Sequence, residues 1–272
     1  MHNYRNKQGR EQHIKAYVCA VRRQMPRLGT RKLHYLLKQH LPTGVGSIGR
    51  DWLFRFLRQQ GLLIPRKRKY VRTTDSRYWT RQYPNLIKNK RPCRPEQVWV
   101  ADITYLSIQQ GYRYLHLLTD AYSKKIVGYQ LSKDMSATST AKALKTALKE
   151  RLHNQPIIHH SDRGLQYHSA VYTDLLKQAG ITISMTEDGS PYDNAIAERV
   201  NGILKQEYGL DEVIEDEKCL RGLVNQAINS YNNQRPHLSC WLLTPAQMHQ
   251  QNKLPVRQWN KITTGQQWNL VT

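Results

Sequence analysis

Three acidic residues could do chemistry in this 272-residue chain: Asp102, Asp162 and Glu198, with 59 residues between the first two and 35 between the last two. Asp102 lies in the nearly continuous apolar run from Val98 to Leu106, the pattern of a central strand buried on both faces. An ionised carboxylate there is costly unless it is paired or bound to a cation. Taken alone, a hydrogen-bonded structural Asp also accounts for it. Asp162 closes the strand-like PIIHHSD and opens onto the polar RGLQYHS, and strand C-terminal ends are where ligand crevices form. Alone, it could equally cap the next helix. Glu198 falls roughly opposite Ile196 in NAIAERVNGILKQEYG, on the side that carries Asn194, Asn201 and Lys205. Most helix glutamates are simply solvated. Together the three form an oxygen-only ligand set, which prefers Mg²⁺ or Mn²⁺ to zinc. Two such ions stabilise the attacking and leaving oxygens of an in-line phosphoryl displacement.

Positioning these acids requires an α/β framework. VWVADITYLSI, YRYLHLLTD and KKIVGYQLS are strand-like runs with short connections, which predicts an antiparallel meander. The helix STAKALKTALKERL, the strand PIIHHS, the helix AVYTDLLKQAG, the strand ITISMT and two long helices follow. The order βββαβαβαα reads as a mixed sheet with helices on its faces. Ahead of it, residues 12–62 read as helices. Ile14, Val18, Val21 and Met25 keep helical spacing up to Pro26. Thr30 and Ser47 are the expected N-caps of two more helices. The last of these buries Ile48, Leu53, Phe56 and Leu57 and shows Arg50, Arg55 and Arg58, a helix-turn-helix pattern.

Charge separates the two parts. Residues 1–95 hold 24 Lys/Arg against three acids, a net of +21, and residues 96–272 hold 18 against 17. Such a basic segment attracts a polyanion, most often nucleic acid. Residues 64–95 interleave Lys/Arg with four aromatics and four prolines and read as a basic linker. Its Arg66, Lys67, Arg68 and Lys69 are candidate phosphate contacts, and its rings are candidates for stacking. Arg163 beside Asp162, and Asn194 and Lys205 beside Glu198, are further candidate DNA contacts. His159 and His160 are adjacent on a strand and so point to opposite faces, which disfavours them as a metal pair. Arg235 and His237 are expected either to touch DNA or to cap the last helix. The four cysteines form no CxxC pair, so neither a zinc module nor a disulfide framework is expected. No secretory signal or membrane span is expected either, and a reducing, cytoplasmic setting fits.

VWVADITYL, HHSDRGLQYHS and DGSPYDNAIAERVNGILKQEYG resemble the integrase-type catalytic core of bacterial insertion-sequence transposases, in which two Asp and a Glu share the 35-residue spacing found here. YNNQRPHLSCWLLTP resembles the closing element of that family. The resemblance spans about residues 13–250. It implies a ribonuclease-H-like core at 96–250, preceded by a helix-turn-helix at 1–63 and the linker at 64–95, with a tail at 251–272. It implies that Asp102, Asp162 and Glu198 bind two Mg²⁺ or Mn²⁺ ions, Asp102 shared between them. It also implies binding of the element's inverted terminal repeats in double-stranded DNA. Release of a 3′-hydroxyl and its attack on another phosphodiester follow, with no covalent protein intermediate. Assembly as a homo-oligomer on DNA, an upstream-frame partner protein and a location at the bacterial nucleoid are further expectations. A ribonuclease-H-like structure-specific nuclease and a non-catalytic DNA-binding regulator are the alternatives.

Overall fold

The computed structural model describes residues 2–41, 47–65, 83–187 and 194–251. Three helices lead, α1 (His2–Gln24), α2 (Thr30–His40) and α3 (Arg50–Gln59). Strands β1 (Val98–Ile108), β2 (Gly111–Asp120) and β3 (Ile126–Ser132) follow, then α4 (Ala137–Lys149) and β4 (Ile158–Ser161). The chain continues through α5 (Leu165–His168), α6 (Ala170–Gln178) and β5 (Thr182–Met185). It closes with α7 (Ala195–Tyr208), α8 (Glu217–Asn233) and α9 (Pro245–His249).

The strands form one mixed sheet in the order β3-β2-β1-β4-β5. The expected meander is present, since β1 pairs antiparallel with β2 and β2 with β3. β4 runs parallel to β1, and β5 parallel to β4. Alternation along β1 divides the core between the two faces of the sheet. Trp99 and Ala101 join α4 and α6 residues such as Leu144, Ala147, Tyr172 and Leu176 on one side. Val98 and Val100 meet Ala197 on the other, where Leu106 and Ile108 join Val200, Ile203 and Leu204 of α7. The face under α4 is tight. A Cβ at Gly128 of β3 would lie 2.3 Å from the Ala143 carbonyl oxygen, so only glycine lets this helix sit so close.

The three leading helices bury the residues their periodicity selects, among them Ile14, Val18, Leu33, Leu37, Leu53 and Leu57. These belong to the same apolar cluster as α7 and α8 residues, so the helical region packs directly on the sheet's helical layer. Gly29 and Gly49, not Thr30 and Ser47, occupy the N-cap positions of α2 and α3, and neither start has a side-chain cap bond. Thr30 is instead buried inside the first turn of α2. Nine residues, 41–49, separate α2 from α3, a longer connection than the three- to four-residue turn of the helix-turn-helix pattern. The region read as linker is fastened to the sheet from residue 83 onward. The Met185 amide donates to the Pro84 carbonyl, the Leu86 amide to Ser184 Oγ, and Lys88 pairs with Glu187 at 2.6 Å. Among the described residues, no helix is long and apolar enough to cross a membrane.

Candidate active site

The two aspartates are brought side by side by strand register. Val98, Trp99 and Val100 of β1 stand opposite Ile158, His159 and His160 of β4. Two residues further along each parallel strand come Asp102 and Asp162, on neighbouring strands spaced about 5 Å apart. β4 ends at Ser161 while β1 runs on to Ile108, paired there with β2 and, at its far end, bridged to Ile214. The strands therefore part just where the acids lie. This is the crevice at strand C-terminal ends where open α/β sheets bind ligands.

α7 closes the third side. Its apolar residues clamp β1 above and below Asp102, which leaves Asn194, Glu198 and Asn201 beside the gap. Asn194 Nδ2 donates to the Ala101 carbonyl at 3.0 Å, taking up an acceptor near the point where β4 stops. Asn201 Nδ2 donates to Asp102 Oδ2 at 2.7 Å, and the Ile103 amide donates to Oδ1 at 2.9 Å. Glu198 and Asp162 are exposed, whereas Asp102 is half-buried. The Gly164 amide donates to Asp162 Oδ1 at 3.0 Å.

The Asp102 carboxyl feels both of the other acids. Burial, then the charge of Asp162, and more weakly that of Glu198, push the Asp102 carboxyl up to about 7, against the hydrogen bonds from Asn201 and Ile103. Surrounding protein also raises Asp162, against the Gly164 amide and the nearby His168. Among the described residues, no three His, Cys, Asp or Glu side chains converge closely enough to hold one ion. The acids nevertheless fit a hard divalent cation in kind. They offer oxygen only, and the burial and the repulsion that raise Asp102 are what a bound cation would offset.

The other candidate residues have partners of their own. His159 Nε2 meets the Tyr172 hydroxyl at 2.8 Å, and His160 Nδ1 meets Ser184 Oγ at 2.9 Å, so each is engaged with a different element, as strand alternation requires. Arg163 Nε donates to the Thr186 carbonyl, not to Asp162. Asn194 is buried, and its amide fastens the start of α7 to β1. Lys205 Nζ lies 4.2 Å from the centre of the Tyr105 ring. Arg50, Arg55 and Arg58 are exposed on α3, with Arg50 paired to Asp51 at 2.9 Å. Arg66, Lys67, Arg68 and Lys69 lie outside the described residues. The Arg235 amide donates to the Ser230 carbonyl in the last turn of α8 at 3.0 Å, while its side chain turns inward. It is 1% exposed and grips Glu207 with two 2.8 Å hydrogen bonds. His237 is likewise buried and bonded to Ser239.

A 3-2-1-4-5 mixed sheet with acids at the β1–β4 gap and on the covering helix defines a ribonuclease-H-like, integrase-type core. A chain of the simian T-cell lymphotropic virus intasome shares the fold, with a TM-score of 0.57 and 16% identity over 91% of this chain and 78% of that one. Two family models, each described as an integrase core domain, match residues 92–191 and 179–245. The Insertion element IS600 31 kDa protein of Shigella sonnei is 36% identical over 80% of this chain and 79% of its own length. Transposase InsF for insertion sequence IS3A of Escherichia coli K12 is 32% identical over 89% of this chain and 83% of its own. The chain belongs to the insertion-sequence transposases that carry an integrase core domain.

Proposed function

We propose that this chain binds the terminal inverted repeats of an insertion sequence and cleaves and joins DNA strands by in-line phosphoryl transfer. Asp102, Asp162 and Glu198 are its ligands for two Mg²⁺ or Mn²⁺ ions. Bound there, the ions supply Lewis acidity at the phosphoryl oxygens and activation of an oxygen nucleophile. The observation that carries this reading is the strand register that sets Asp102 and Asp162 side by side, two residues past the paired Val100 and His160, where β4 stops. Asp102 is clamped on both oxygens and so has a fixed orientation. Asp162 and Glu198 stand at the open side, where a DNA backbone can reach them. Joining two ends takes at least two sets of acids, so the active species on DNA is a dimer or larger.

The full chain, incubated with duplexes carrying the element's ends, should give 3′-hydroxyl ends and joined strands with Mg²⁺, and neither with a chelator. Cleavage without joining would point to a structure-specific nuclease, and binding without cleavage to a regulator. The exposed arginines of α3 give the DNA-binding part of the proposal its own test. Replacing Arg50, Arg55 and Arg58 together by Ala should flatten the dependence of log affinity on log salt by roughly 2–3, close to one unit for each phosphate no longer neutralised. Arg50 contributes least, because Asp51 already pairs with it. An unchanged slope in a fluorescence-anisotropy salt titration would place the duplex elsewhere.

A further inference from the structure

We infer that Asn201 is a positioning residue of the active site: its amide sets the Asp102 carboxylate for cation binding and ties it to the helix turn that bears Glu198. The inference rests on the functional reading above and adds to the acid triad a residue that carries no charge.

Asn201 lies on α7 three residues after Glu198, one turn further along the same side of the helix. It is 5% exposed, among the buried Ala197, Val200, Ile203 and Leu204. An apolar side chain would serve packing better there, since an amide taken from water is costly unless it is hydrogen-bonded. Among the described residues its side chain bonds to Asp102 Oδ2, at 2.7 Å. A carboxylate only accepts hydrogen bonds, so the chemistry of the partner fixes which end of the amide faces it. Oδ1 is then turned away, buried and, among the described residues, without a hydrogen-bond partner. An amide kept at the cost of one unsatisfied oxygen is placed for the bond its nitrogen makes.

That bond has two consequences. With the Ile103 amide on Oδ1, it holds both Asp102 oxygens and leaves the carboxylate one orientation. It also joins the strand-borne acid to the helix-borne one, since Asn201 and Glu198 share a rigid turn. Asn194 pins the start of the same helix to the Ala101 carbonyl, so Glu198 lies between two fastenings to β1. Groups that orient a metal ligand typically change affinity or activity by about 10–100-fold when removed.

Asn201→Leu separates positioning from packing, because leucine fills similar space and suits the apolar surroundings but cannot donate. Asn201→Ala is made alongside in case leucine does not fit. Four measurements are made on the full chain: thermal midpoint without metal, Mn²⁺ binding from the free-ion paramagnetic resonance signal, affinity for end DNA, and cleavage rate at saturating DNA. Asn201→Leu should melt within a few degrees of wild type and bind DNA equally well. Mn²⁺ affinity and cleavage rate should each fall about 10–100-fold. Wild-type Mn²⁺ affinity and rate in a folded Leu or Ala variant would overturn the inference, provided Asp102→Asn loses both in the same assays. If Asp102→Asn also keeps both, the triad reading itself fails and the inference falls with it.

Discussion

Asp102→Asn is expected to lower strand cleavage and joining by about a hundred- to a thousandfold, the scale seen when a group that stabilises transition-state charge is lost. DNA affinity should be nearly unchanged, because the basic α3 face is far from the substitution in the chain and untouched by it. The same variant should melt higher than wild type in the presence of a chelator. Burial and the neighbouring acids raise the folded-state pKa of Asp102 from 3.8 to about 7. Between those values the folded protein keeps a proton that the unfolded chain releases, so stability is lost as pH rises through that window. Asparagine cannot ionise and still offers Asn201 an acceptor. The difference in melting temperature should therefore be small near pH 4 and open to a few degrees by pH 8. Asp162→Asn and Glu198→Gln should show the same catalytic loss. Near-wild-type joining with Mg²⁺ by any one of the three would remove that residue from the assignment.

An acid that burial makes costly can be found in sequence because it breaks a pattern. Asp102 interrupts an apolar strand and Asp162 ends one, and strand periodicity alone predicts the meander, while the pairing of β4 on the other side of β1 is what brings β1 to the middle of the sheet. Asn201 breaks no pattern. A helical projection puts it beside Glu198, which is correct, but treats a polar side as a solvated one. That side meets the gap left where β4 stops, and only the sheet's geometry shows that an asparagine there is buried. The burial of Asn194 is hidden in sequence for the same reason. Arg235 misleads for another: a basic residue after the last long helix looks solvent-directed unless its carboxylate is known to be waiting 28 positions earlier in sequence. The order of elements is legible because it is local. The partners of buried polar groups are not, because they are fixed by how elements meet.

Removing that carboxylate should have the largest effect on stability. Glu207 lies near the end of α7, where Gly209 takes the left-handed conformation that ends the helix. It accepts two bonds from Arg235, at 2.8 Å each, and two from Lys32 of α2, at 2.8 and 3.2 Å. Nearby, the Arg27 amide donates to the Glu207 carbonyl, and the Arg27 side chain reaches Gln206, Asp211 and Glu212. The leading helices are thus bolted to the helix that bears Glu198. Burial pushes Glu207 up, but Arg235 and Lys32 together bring it down to about 2. Burial and the Arg235 charge lower Lys32 to about 8 despite Glu207, because one carboxylate cannot fully offset two buried cations. Glu207→Ala leaves both cations without a counter-charge and should cost about 3–5 kcal/mol, as breaking a buried pair does. Lys32→Met removes the surplus charge and leaves the Arg235–Glu207 pair whole, so it should change stability by no more than about 1 kcal/mol in either direction. The acid side has a sign as well. With its folded pKa near 2 against an ordinary 4.5, Glu207 contributes stability that is present above pH 4.5 and lost as pH falls toward 2. In Glu207→Gln that part of the acid transition should be absent. Urea melts of the three variants at neutral pH, with acid titrations of wild type and Glu207→Gln, measure all of this. If Glu207→Ala proves as mild as Lys32→Met, the three-residue bolt does not hold the leading helices to α7.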